Sequence, residues 1–235
     1  LIGATCMMLM FIGRVSGKHL LLTLGVAMIP VVILVLAAMV RHKSEEPVAV
    51  KSKPESHSHL FVRVDTWINR VEHFIYGSQA SKEEDNYQVN QAKIAVANGG
   101  WIGLGPGNSR QRNFLPHPYS DFIYAIIIEE YGMIGGAIIM FIYLVFLFRS
   151  IRIFRKCPFA FGAFLALGLS FTLMIQAIAN MAVNVNLFPV TGVTLPLISM
   201  GGSSFLFTCL AIGIILSVAR NAEQIEGEAA AEAAD

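Results

Sequence analysis

Charge is in short supply: Asp, Glu, Lys and Arg make up only 14% of the 235 residues. A soluble domain carries about a quarter, so the deficit argues against a chain wetted on all sides and makes lipid the expected solvent. Hydrophobic residues make up 55%, and the mean hydropathy is +0.61. Cysteine is scarce as well. Cys6, Cys157 and Cys209 each lie in or beside an apolar run, which offers neither a disulfide framework nor metal-ligand spacing and predicts thiols buried as small hydrophobes. A basic leader is also missing: the chain opens on the apolar run from Leu1, which does not read as a signal peptide and is expected to be the end of a cut span. The net charge of +1 says little about partners, because the charges are segregated along the chain.

Long uncharged runs are abundant, and a bilayer core needs about 20 apolar residues per helix. Segment 1–12 is too short to span alone. Leu20 to Val40 holds no charge and reads as a spanning helix. Tyr131 to Phe148 is again uncharged and continues upstream to Asp121, giving an expected span over 121–148. A basic loop follows, with Arg149, Arg152, Arg155 and Lys156. Cys157 to Ala219 then holds no charged or histidine side chain, enough for spans over 157–185 and 203–219 separated by an irregular segment, 186–202, rich in Pro and Gly. Residues 220–235 form an acidic, Ala-rich tail. The fold class expected is all-α, one polytopic transmembrane domain over 1–235.

Lys and Arg concentrate on the cytoplasmic side of membrane proteins, which places the Arg149–Lys156 cluster inside. Counting outward, the tail is also inside, while segments 41–120 and 186–202 are outside. Within 41–120, Ser44 to His59 reads as a flexible linker. Leu60, Phe61, Val64, Trp67, Ile68, Val71, Phe74 and Ile75 follow at helical spacing with charges between them. They predict an amphipathic helix on the outer leaflet, or a helix packed on the spans by the same face.

Three features of the outer side carry candidate chemistry. Gly99-Gly-Trp-Ile-Gly-Leu-Gly-Pro-Gly-Asn-Ser109 is a glycine-rich stretch followed by Arg110 and Arg112. Successive N–H groups in such a loop can cradle a diphosphate, and a compact surface turn is the alternative. Asp121 comes just before a helix. Such a position suits a capping residue first, and the alternative is a general base that takes a proton from an acceptor hydroxyl. Glu129 and Glu130 lie roughly 12–14 Å further along that helix. Ionisable groups at that depth are costly and are either paired or functional.

Gln176, Asn180 and Asn184 recur every four residues on an otherwise apolar helix. They make a polar stripe suited to interhelical hydrogen bonding or to lining a substrate groove. The irregular backbone after Asn186 is tolerated at a membrane only where protein buries it or it lines a cavity. The helix that starts near Ser203 points its N–H groups and dipole at the same region.

These stretches together resemble the SEDS family (shape, elongation, division and sporulation proteins). The resemblance rests on the glycine-rich stretch, Leu115-Pro116, Ser120-Asp-Phe-Ile-Tyr-Ala125, Glu129-Glu130 with Gly132, Leu187-Phe-Pro-Val-Thr-Gly192, and Leu195-Pro-Leu-Ile-Ser-Met-Gly-Gly-Ser-Ser204. It covers Leu20 to Arg220, corresponding to the last four of about ten spans. Gly107-Asn-Ser109 looks more like the division branch than the elongation branch. His117-Pro-Tyr-Ser120 and Met200 depart from the family pattern.

What the resemblance implies is a peptidoglycan glycosyltransferase that polymerises lipid II on the outer face of the bacterial cytoplasmic membrane, at the division site. Its implied partners are a class B penicillin-binding protein and other division-complex membrane proteins. It implies no nucleic acid, and no certain cofactor beyond room for a divalent cation. The family's essential Asp maps onto Asp121. The candidate substrate-binding set is Lys93, Gly103, Gly105, Asn108, Ser109, Arg110, Glu129, Asn184, Ser203 and Ser204. Competing readings are a flippase for the lipid-linked precursor, for which the polar stripe and broken helix also suit a substrate path, an elongation-type polymerase, and a non-catalytic scaffold.

Overall fold

A computed structural model describes residues 2–13, 16–44, 83–115 and 118–232. Within them the chain is helical, with no strand: α1 (Ile2–Ile12), α2 (Gly17–Ser44), α3 (Glu83–Gly99), a short 3-10 turn (Gln111–Asn113), α4 (Ile123–Lys156), α5 (Ala160–Asn184) and α6 (Gly202–Glu232). Helix is the only open structure whose backbone groups are all satisfied within one segment in lipid. Among the described residues, three helices are long and apolar enough to cross a membrane, at Ile123–Lys156, Ala160–Asn184 and Gly202–Ile225. The Leu20–Val40 run lies inside α2. The amphipathic segment expected over 60–75 lies outside the described residues.

Helix α5 is the hub. It packs on α4, α6 and α1, while α3 packs on α4. Small side chains make this possible: Ala166 and Ala177 are fully buried, and a Cβ at Gly168 would lie 3.0 Å from Leu9 of α1. Lipid offers no hydrophobic force between helices, so close backbone approach through small residues supplies the packing. One core cluster joins Tyr124, Ile128 and Tyr143 of α4 to Met174, Ala177 and Met181 of α5 and to Leu195 of the following segment. A second joins Ala92 and Ala95 of α3 to Leu115, Phe122, Ala125 and Ile126. Large apolar side chains such as Phe141, Ile142, Phe205 and Phe207 face outward, as a lipid solvent favours.

Two expectations change, and the tail takes a defined form. The basic Arg149–Lys156 stretch is not a loop but the last turns of α4, leaving three residues before α5. Arg and Lys are good helix formers, and cations complement the dipole at a helix C-terminus. The acidic tail is helical to Glu232. Cys6 and Cys209 are exposed and Cys157 half-buried, because an outward thiol on an apolar helix costs little against lipid.

Candidate active site

Asp121 ends the turn that leads into α4. The residue at the capping position is Phe122 (φ −106°, ψ 14°), and no side chain of this turn caps the helix. The Ala125 N–H, which a local cap would satisfy, donates to Phe122 O at 3.1 Å and to Asn184 Oδ1 of α5 at 3.1 Å. Asp121 is therefore free of the capping role. Its carbonyl accepts from Asn180 Nδ2 and from Asn184 Nδ2, both at 2.9 Å. Its half-buried carboxylate accepts from Ser120 Oγ at 2.7 Å through Oδ1. The Oδ2 oxygen looks toward Gly192, where an added Cβ would sit 3.6 Å away. Among the described residues no second protein donor reaches this carboxylate, so it keeps acceptor capacity.

The irregular segment between α5 and α6 is built against the same turn. Asn180 Nδ2 also holds Val193 O at 2.7 Å, and Gln176 Nε2 holds Thr194 O at 3.0 Å. Ser199 Oγ donates to Ser120 O and accepts from Leu195 N, each at 2.7 Å, while Met200 N donates to Tyr119 O at 2.8 Å. Tyr143 Oη donates to Pro196 O. Thr194 Oγ1 meets Ser204 Oγ at 2.9 Å, tying the segment to the start of α6. Leu197 sits at φ 66°, a left-handed conformation that bulky residues rarely adopt and that is held here by anchors on either side. Gln176, Asn180 and Asn184 thus use their amides on backbone carbonyls.

The glycine-rich stretch forms a second assembly, at a break in α4. Gly132 lies at φ 72°, ψ −175° inside the helix. The carbonyls freed there accept from the loop: Leu104 N donates to Glu129 O and Gly105 N to Glu130 O, both at 2.9 Å, while Met133 N returns to Gly100 O at 2.9 Å. Side chains would not fit. A Cβ at Gly99 would lie 2.0 Å from Ile128 O, at Gly103 2.3 Å from Glu130 O, and at Gly132 2.2 Å from Trp101 O. This corrects the diphosphate-cradle reading of Gly103 and Gly105. Their N–H groups are spent on Gly99 O and Glu130 O; Gly103 is needed for close backbone packing against Glu130 and Gly105 for its positive φ of 94°.

Glu129 is fully buried and accepts from Ser109 Oγ, from Arg110 N at 3.3 Å and from Gln111 N at 3.3 Å. Ser109 Oγ in turn accepts from Arg112 N at 3.2 Å. The carboxyl group thus organises the turn after the glycines, where three protein donors replace water around a buried polar group. Ser109, Glu129 and Asn184, expected to touch substrate, are buried and occupied within the protein; their role is to hold the two assemblies.

The remaining candidates stay accessible. Lys93 and Arg110 are exposed, Asn108 is exposed with Nδ2 on Leu104 O at 3.2 Å, and Ser203 is exposed beside the half-buried Ser204. Gln111 was not singled out from sequence. It is buried, and its Oε1 has no hydrogen-bond partner among the described residues. No three His, Cys, Asp or Glu side chains converge among the described residues. Asp121 and Glu129 belong to separate assemblies, one in the turn before α4 and one inside the helix.

A family model described as cell cycle protein (FtsW/RodA/SpoVE) matches residues 1–224. Stage V sporulation protein E of Bacillus subtilis (strain 168) is 45% identical over 135 residues, covering 57% of this chain and 37% of that protein. The probable peptidoglycan glycosyltransferase FtsW of Thioalkalivibrio sulfidiphilus (strain HL-EbGR7) is 44% identical over 138 residues, covering 57% of this chain and 34% of that protein. The chain thus spans about a third of the length of these curated relatives. A solved structure described as "Structural coordination of polymerization and crosslinking by a peptidoglycan synthase complex" matches with a TM-score of 0.58 at 22% identity, covering 92% of this chain and 53% of that one. At that identity the likeness is one of fold.

Proposed function

This chain belongs to the FtsW/RodA/SpoVE family of cell cycle proteins, and we propose from that premise that it carries the catalytic face of a peptidoglycan glycosyltransferase that polymerises lipid II. The observation that carries the reading is the Asp121 carboxylate. It is half-buried, relieved of helix capping by Asn184, and bonded to one hydroxyl.

In the proposed reaction an acceptor sugar hydroxyl gives its proton to the Asp121 carboxylate as its oxygen bonds to the anomeric carbon of the donor. The bond from that carbon to the lipid diphosphate breaks, and the diphosphate leaves with the electron pair. A carboxylate that approaches the hydroxyl within hydrogen-bond reach is the geometric requirement. Arg110, Lys93 and the start of α6 at Ser203 supply the positive charge and N–H groups that would meet the diphosphate.

The name of the Thioalkalivibrio relative supports this activity, as does the Gly107-Asn-Ser109 element for the division branch. On this reading the protein sits in the bacterial cytoplasmic membrane, is enriched at the division site, and works with a class B penicillin-binding protein. The matched peptidoglycan synthase complex, whose description pairs polymerisation with crosslinking, supports that partnership.

The test is a reconstitution. Full-length protein in liposomes, given lipid II without ATP or an ion gradient, is expected to form glycan polymer on a gel. Movement of lipid II across the bilayer without polymer would replace this reading with the flippase.

A further inference from the structure

We infer that Asn180 and Asn184 are positioning residues that clamp the main chain of Asp121 and the segment 186–201 into one unit, setting where the Asp121 carboxylate points. The inference deepens the proposed function and rests on Asp121 acting as the base.

Four observations converge on it. Both amides are 1% exposed, so neither is available to substrate. Both donate to one acceptor, the Asp121 carbonyl, at 2.9 Å. Asn184 also supplies the cap that the turn before α4 lacks, through Oδ1 to Ala125 N at 3.1 Å. Asn180 spends its other donor on Val193 O at 2.7 Å, the residue next to Gly192, toward which Asp121 Oδ2 looks. The two amides are linked as well, since Asn184 Nδ2 reaches Asn180 O at 2.9 Å and Asn180 Oδ1 at 3.2 Å.

The clamp has a physical logic. A residue that caps its own helix spends its side-chain oxygen on the backbone. Here the cap comes from another helix, 59 residues away in sequence, which leaves the Asp121 carboxylate for chemistry. A carbonyl held by two amides from a packed transmembrane helix has little freedom to rotate. A buried amide with every group satisfied specifies one geometry, and breaking it leaves unsatisfied groups behind. Segment 186–201, tied through Val193 O to the Asn180 amide that also holds the Asp121 carbonyl, moves with Asp121 or not at all, so the wall facing the carboxylate stays in register with it.

The experiment uses full-length protein in lipid nanodiscs with Asn180→Leu and Asn184→Leu, which keep the branched heavy-atom skeleton but remove every side-chain hydrogen bond. Ser170→Ala is the control, because Ser170 is fully buried on the same helix and bonds only Ala166 O. Amide hydrogen exchange is expected to speed at Ala125 in Asn184→Leu and across 193–200 in Asn180→Leu, with Ser170→Ala unchanged. Turnover of lipid II is expected to fall about 100-fold, the scale of a 1 Å misplacement, with KM unchanged.

Lost turnover with unchanged protection at these amides would overturn the inference, as would lost protection with full turnover. Should a Leu variant fail to fold, Asn184→Ser, which retains one donor and one acceptor, is held to the same split at smaller amplitude. Asp121→Asn separates the two proposals. Full activity in that variant would remove the base, while the exchange result still decides whether the clamp exists.

Discussion

Asp121 and Glu129 show how two carboxylates eight positions apart reach opposite ends of use. Glu129 is sealed from solvent and its oxygens are taken by the turn at Ser109–Gln111. Asp121 holds one hydroxyl and faces the segment around Gly192. Asp121→Asn keeps shape and removes the proton acceptor. It is expected to insert and melt like the wild type yet lose about 10²–10⁴-fold in glycan synthesis, the scale of general-base loss, read by lipid II polymerisation. Glu129→Gln is expected to do the reverse. It places an NH₂ against backbone donors and should cost about 1.5–3 kcal/mol of stability, as for hydrogen bonds to a charged group, with a smaller loss of rate. Thermal melting in detergent checks it. A Glu129→Gln protein that melts normally but is as inactive as Asp121→Asn would move the chemistry to Glu129.

The break in α4 is the organising element around the glycine-rich loop. Gly132 adopts φ 72°, ψ −175°, a region essentially confined to glycine, and the carbonyls it exposes are taken up by the loop at 100–105. Helix and loop are thus one structure, in which glycines on both strands allow backbone contact. Gly132→Ala is expected to cost about 1–3 kcal/mol from backbone strain alone, and its Cβ would also displace Trp101 O. The loop should then detach before the helices melt. Limited proteolysis would show it as new cleavage within 100–110, and unchanged cleavage would mean that the break accommodates a side chain.

At the scale of the whole molecule, α4 carries the topology. The part of α4 after the break, residues 133–156, rises about 36 Å, more than the roughly 30 Å hydrocarbon core, so this stretch alone can cross. One end carries Asp121 and the glycine-rich loop, and the other carries Arg149, Arg152 and Arg155, all exposed. The positive-inside rule puts the arginine end in the cytoplasm. Cysteines at the exposed positions Asn108 and Arg149 are therefore expected to label from opposite sides of intact spheroplasts with an impermeant thiol reagent, Asn108 from outside. Labelling at Arg149 alone would invert the protein and put the proposed site on the cytoplasmic face.

The one-dimensional chain settled its own solvent and its class of structure, because transfer to lipid depends on composition within a window of about 20 residues. The three spans, the irregular stretch after Asn186 and the Asp ahead of α4 are local properties of that kind. The purpose of polar groups inside the spans is not local. Gln176, Asn180 and Asn184 show a four-residue period in either role, and only the fold reveals that two of them converge on the Asp121 carbonyl, 59 and 63 positions away. The same holds for Asp121 itself. Its place before a helix fits a cap or a base, and the tertiary structure relieves it of the first role by bringing Asn184 Oδ1 to the Ala125 N–H. The glycines misled for the opposite reason. Glycine permits an anion cradle and close backbone packing alike, and which one occurs depends on what lies across from it. Here that is a broken helix with carbonyls to satisfy, which no local pattern encodes.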